Sequence, residues 1–352
     1  MFRSNTLLVV GAGSSVDAGL PLGSELVKRI AAMLQFEQTT IGIGTGSGNQ
    51  EIYNIILKHF GHSKAHRVIK SCVGMSLSLQ HADSIDAYLN DFRNDEDLVF
   101  CGKVSNAKAI SEAETNRTLT ADRTNVFNTL NWAGLEDSWY SKFFGILKSG
   151  VRLENIDTIF DNISIVCFNY DRCIEQYLFY AMQNYYRISA SEALSVLRKL
   201  KIYHPYGTIG AFAIDQTTGH SNYGLALRGA ELVERSKTIR TVYENEKDIA
   251  GKEELQLMIS NAEQVLFLGF GFHPLNIDLM RSKNNRQNLK IYATGWKIPA
   301  PALDLIKKQI SSVFHEDEIR GIGLIREGKI LIRSDLVSSG LLHEFGIVFS
   351  SN

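Results

Sequence analysis

Leu7-Leu8-Val9-Val10-Gly11-Ala12-Gly13-Ser14-Ser15-Val16-Asp17-Ala18-Gly19-Leu20-Pro21 is the stretch that decides the fold. A short apolar run closed at once by Gly-Ala-Gly reads as a buried parallel strand feeding a tight turn. Glycine lets backbone approach closely there, and a helix after the turn would offer N–H groups to a phosphate. An ordinary dinucleotide fingerprint needs a third glycine where Val16 stands, so this is a variant of that turn. The alternative is a tight turn that binds nothing.

Working outward, Glu25 to Leu34 has helical spacing. Strand-like runs return at Ile163–Phe168, Ile202–His204, Val265–Leu268 and Leu289–Ala293, with helical patterns over 172–183 and 191–200. Strands alternating with helices predict an α/β class: a doubly wound, mostly parallel Rossmann-like sheet. Residues 1–36 and 151–310 would form it. Residues 37–150 differ in character and read as a mostly helical insertion, with amphipathic segments at 51–60, 85–92 and 123–147. The C-terminal segment 311–352 carries two short strand-like runs between Gly323 and Phe349.

Composition narrows the function classes. With 44% hydrophobic and 21% charged residues in a 352-residue chain, a real core is expected. A net charge of −1 gives no electrostatic case for nucleic acid, and no apolar stretch has the length of a membrane span. Cys72, Cys101, Cys167 and Cys173 form no C-x-x-C pair, so neither zinc nor a redox dithiol is signalled and a cytoplasmic location is expected.

Four places can carry chemistry. Gly11, Ala12, Gly13 and Ser15 form the first cradle. Asn169 and Asp171 follow a strongly apolar strand, at the end where α/β folds build sites; a carboxamide there can hold a ribose hydroxyl and a water together, while Asp171 is equally a natural helix cap. His204, just past a short strand, is either a general base or structural. Gly269 and Gly271 make a second G-x-G turn, followed by Asn276 and Asp278 as candidates for ribose hydroxyls, with capping the alternative for Asp278.

Weaker candidates surround these. Ile41 to Gly48 is glycine-rich but lacks the lysine of a Walker loop, and no strand is predicted before it. His59, His62 and His66 share a helical face that could bind a metal and reads better as solvated. Asp83 and Asp86 could pair; Asp83 fits a helix cap and Asp86 is a candidate to face the site.

Taken together and in order, the four islands resemble the sirtuins. Gly11-Ala12-Gly13-x-Ser15-x-x-x-Gly19-x-Pro21 resembles the family's G-A-G-x-S-x-x-x-G-x-P, Asn169-Tyr170-Asp171 its Asn-Ile-Asp, and His204 with Gly207 its His-Gly. Leu22-Gly23-Ser24 stands in place of Asp-Phe-Arg, Phe168 in place of Gln, and no cysteine lies between His204 and Gly269, where deacylating sirtuins hold zinc. These departures are similar to the bacterial sirtuin-like proteins of antiphage defence.

The resemblance implies NAD as substrate, no zinc, and hydrolysis to nicotinamide and ADP-ribose. It implies a homo-oligomer, gated by assembly and in some members by a HerA-like hexameric ATPase. Asn169 would position ribose and water, His204 would act as base, Ser15 would touch phosphate or ribose, and Asp171 would orient the nicotinamide amide or cap its helix. Pyrophosphate would rest on the helix after Gly13. The alternatives are an NAD-dependent deacylase and a non-catalytic NAD- or ADP-ribose-binding subunit.

Overall fold

The computed structural model describes residues 1–39, 42–115, 118–124, 130–281, 289–314 and 323–350. Eight strands are found among them: β1 (Thr6–Val10), β2 (Glu37–Thr39), β3 (Gly42–Gly44), β4 (Ile163–Cys167), β5 (Lys201–Tyr203), β6 (Gln264–Leu268), β7 (Lys290–Thr294) and β8 (Ile330–Arg333). β2 and β3, the latter in the glycine-rich stretch, form a separate antiparallel pair; Thr40 and Ile41 between them lie outside the described residues.

The other six strands make one parallel sheet in the order β5-β4-β1-β6-β7-β8. Counted along the chain, that is the order 3-2-1-4-5-6, which reverses direction between β1 and β6. The sixth strand comes from the C-terminal segment. The second strand-like run of that segment is instead part of the helix Ser338–Ser350, which buries Leu341, Leu342 and Phe349.

Side-chain alternation builds two cores. Leu7 and Val9, Val166, Val265 and Phe267, and Ile291 and Ala293 face one side; Leu8 and Val10, Ile163 and Ile165, and Leu266 and Leu268 face the other. Because both faces are covered, the central strands read as unbroken apolar runs.

The first face carries helix Gly23–Met33 and three insertion helices, Gln50–Ser78, Ile85–Asp91 and Glu96–Glu114. The long helix is capped by Asn49, whose Oδ1 accepts from the amides of Glu51 and Ile52, and it breaks at Gly61. The opposite face carries helices Trp139–Lys148, Cys173–Tyr186, Ala190–Leu197 and Ser338–Ser350. The helix expected over 123–147 is therefore confined to its last turns. Residues 125–129 lie outside the described set, and Trp132–Leu135 is a single tight turn. No described helix is long and apolar enough to cross a membrane.

Candidate functional site

At the carboxyl ends of β1, β4 and β6, where the strand order reverses, the structure opens a cleft of about 370 Å³. Open α/β sheets bind ligands at this point because adjacent connections leave on opposite faces and leave a crevice between them.

The two glycine turns form its floor by packing on each other. Gly13 N donates to Gly269 O at 2.9 Å and Gly11 N to Leu268 O at 3.0 Å. A Cβ on Gly11 or Gly13 would lie within 3 Å of Gly269 backbone, and one on Gly269, at φ +56°, would lie 2.1 Å from Ser14 N. Close approach is thus what Gly11, Gly13 and Gly269 supply. Gly271 also lines the cleft, but nothing lies within 4 Å of its missing Cβ.

One expectation fails here. The helix after the first turn is only Ala12–Ser15, and the amides of Gly13 and Ser14 are already used, the latter by Gly11 O. They are not spare donors for a pyrophosphate. Among the described residues, no lysine or arginine lines the cleft.

Asn169, Ser15 and Asp171 lock together beside this floor, all buried. Ser15 Oγ donates to Asp171 Oδ2 at 2.8 Å, so it can only accept from the amide Nδ2 of Asn169, also at 2.8 Å. The same Nδ2 donates to Gly11 O at 3.1 Å. Both partners being acceptors, the orientation of the carboxamide is fixed, and Oδ1, which has no partner among the described residues, can accept from a ligand. Asp171 Oδ1 accepts from the amide of Cys173, the first residue of its helix, at 3.1 Å, although the N-cap position falls on Arg172; Asp171 thus ties down the helix start and anchors Ser15 at once.

Neighbouring elements pin this arrangement. Trp139 Nε1 donates to Ser14 O at 2.8 Å, and Ser14 Oγ lies 2.9 Å from Ser338 Oγ. Next to Asp171, buried Arg172 grips buried Glu114 with Nε at 3.2 Å and Nη2 at 2.5 Å, which ties the end of an insertion helix to the site. Burial raises the Glu114 carboxyl pKa, against the opposing pull of Arg172.

His204 does not line the cleft, which corrects its expected place beside the Asn169 carboxamide. Its Nδ1 lies 3.0 Å from the backbone oxygen of Asn169, and its Nε2 lies 3.4 Å from Glu175 Oε1. The imidazole therefore braces the loop from behind. Burial opposes its charge, but Cys167 and Glu175 outweigh burial and hold its pKa well above the ordinary value.

The residue of that turn that enters the cleft is Tyr206. The turn closes by Gly207 N to His204 O at 3.0 Å, and Gly207 sits at φ +68° against Thr238 O. Tyr206 OH donates to Asn276 Oδ1 at 2.6 Å, so Asn276 is in the cleft as expected. Asp278 is not: it pairs with Arg281 at 2.8 Å and its side chain is more than half exposed.

The insertion supplies the remaining wall. Ser84, not Asp83, caps helix Ile85–Asp91, accepting from Ala87 N at 3.1 Å. Asp86 on that helix lines the cleft and accepts a hydrogen bond from Tyr170 OH. Burial pushes the Asp86 carboxyl up to about 6, against the lowering effect of the Tyr170 bond. Asp83 stands at the mouth, 3.9 Å from His273 Nε2. Away from the cleft, His59 stacks on Phe100, and the break at Gly61 interrupts its helical face before His62 and His66. No group of three or more metal-ligating side chains occurs among the described residues.

Tyr206 and Tyr170 were not singled out from sequence. Gly207 marks the turn, but spacing alone does not say whether its imidazole or its phenol faces inward.

Neither a protein-family model nor a curated protein sequence matches the chain.

Proposed function

We propose that this protein hydrolyses NAD to nicotinamide and ADP-ribose in bacterial antiphage defence, gated by self-assembly or by a HerA-like ATPase partner. The class of reaction is cleavage of an N-ribosyl bond. The carrying observation is the Asn169 carboxamide at the strand-order reversal: it is held by Ser15 and Gly11, and its acceptor oxygen has no partner among the described residues. An acceptor there suits a ribose hydroxyl, and the aromatic side chains of Phe168, Phe270 and Tyr206 on the cleft wall suit a planar base. The ordered resemblance to sirtuins supplies NAD as the particular substrate, and the departures from the deacylating pattern favour water as acceptor.

In this reading Asn169 orients the ribose, Ser15 and Asp171 keep Asn169 in place, and His204 positions the Asn169 loop from behind. Asn276 and Tyr206 shape the far wall. A second reading, a non-catalytic subunit that binds NAD or ADP-ribose, draws support from His204 lying off the cleft.

The test is to incubate the purified protein with NAD, alone, with an acyl-lysine peptide, and with a partner ATPase. Nicotinamide and ADP-ribose in equal amounts support hydrolysis. O-acyl-ADP-ribose formed only with peptide supports a deacylase, and saturable binding without product supports the silent subunit.

A further inference from the structure

We propose that Asp86, carried into the cleft by the helical insertion, is the carboxylate that steadies positive charge at the ribose anomeric carbon and then takes a proton from the attacking water. This rests on the reading of the cleft as an N-ribosyl-cleaving site.

The assignment follows from what each described carboxylate of the cleft is already doing. Asp171 has both oxygens engaged, Oδ2 by Ser15 and Oδ1 by the Cys173 amide. Asp83 is at the exposed mouth, beside His273. The imidazole that the sequence offered as base, His204, is outside the cleft. Asp86 remains. Among the described side chains only Tyr170 holds it, through Oδ1. The described lining residues include no lysine or arginine, and the imidazole among them, His273, stands beside Asp83, so Asp86 has no cationic partner of its own there. Its carboxyl, pushed up to about 6 by burial, is ionised at neutral pH and is a stronger base than an exposed aspartate.

The chemistry balances. The C1′–N bond breaks and its electron pair goes to the pyridinium nitrogen, so nicotinamide leaves neutral without needing a proton. The oxocarbenium left behind is stabilised by the Asp86 anion. Water forms the C1′–O bond, its proton passes to the carboxylate, and from there to solvent.

The test uses the full chain and two readouts. The first is binding of two probes by calorimetry: ADP-ribose, and an ADP-linked pyrrolidinediol bearing a cationic nitrogen near the anomeric position. The wild type should prefer the cationic probe above about pH 6 and lose that preference below it, as Asp86 protonates. Asp86→Asn should bind ADP-ribose normally and show no preference at any pH. The second readout is the pH profile of NAD hydrolysis. Asp86→Asn should lower turnover about 10²–10⁴-fold, and Tyr170→Phe, which removes a bond that favours the anion, should move the acidic limb upward. Equal binding of both probes by wild type, or an unchanged preference in Asp86→Asn, overturns the role of Asp86 while leaving the site reading intact. Failure of both probes to bind overturns the site reading itself.

Discussion

The Ser15 hydroxyl donates to Asp171 Oδ2 at 2.8 Å, which leaves it only a lone pair to offer the Asn169 amide 2.8 Å away, so Ser15 and the Gly11 carbonyl together decide which way Asn169 faces. Ser15→Ala removes the donor from one buried group and the acceptor from another. The expected loss is about 1–3 kcal/mol of stability, read by urea denaturation, together with weaker ADP-ribose binding, because the Gly11 carbonyl alone then holds the carboxamide.

The glycine turns respond differently to the same substitution. Gly269→Ala forces a Cβ into Ser14 backbone at a positive φ, and it should cost at least about 2 kcal/mol or prevent soluble expression. Gly271→Ala meets open space and should change stability by no more than about 0.5 kcal/mol. Thermal melts of the two variants side by side check this.

Asp86 should destabilise the native state at neutral pH. Its native pKa, about 6, lies above the ordinary value of 3.8, so the folded chain holds its proton more tightly than the unfolded chain. Between those values stability contributed by this group falls as pH rises, and the penalty is complete above about 6. Asp86→Asn should therefore gain on the order of 1–3 kcal/mol at pH 7 and nothing at pH 3. Denaturant midpoints at the two pH values test the sign.

His204 stabilises the native state where Asp86 destabilises it, although the stability contributed by either group falls as pH rises. Its native pKa is raised, so its contribution is complete below the ordinary value of 6.5 and is lost as pH climbs through the native value. His204→Gln should flatten the alkaline side of a plot of melting temperature against pH. Acting through the Asn169 backbone, it should lower turnover by about tenfold or less, where a base in the cleft would cost far more.

These contrasts show where sequence is informative. β1, β4 and β6 were legible because strands covered on both faces read as short apolar runs, and the glycines that close β1 and β6 were legible because only glycine permits their mutual contact. The cleft membership of Asn169, Ser15, Asp171 and Asn276 followed from their place just past those strands. His204 and Tyr206 share one turn, and side-chain direction within a turn has no period to read. Asp278 lies one helical turn from Arg281, so local ion pairing captured it. The apolar run near Leu341 fits a strand and a buried helix equally, and packing beneath β7 chose the helix. The glycine-turn amides looked like spare donors because sequence does not reveal that the second turn would take the Gly13 hydrogen bond.

The most direct measurement is a crystal structure of the protein with ADP-ribose bound. The account predicts density in the cleft between the two glycine turns, with a ribose hydroxyl about 2.7–3.2 Å from Asn169 Oδ1 and the anomeric carbon facing Asp86. A ligand seated elsewhere on the molecule, or held in this cleft with its ribose turned away from Asn169, would contradict it.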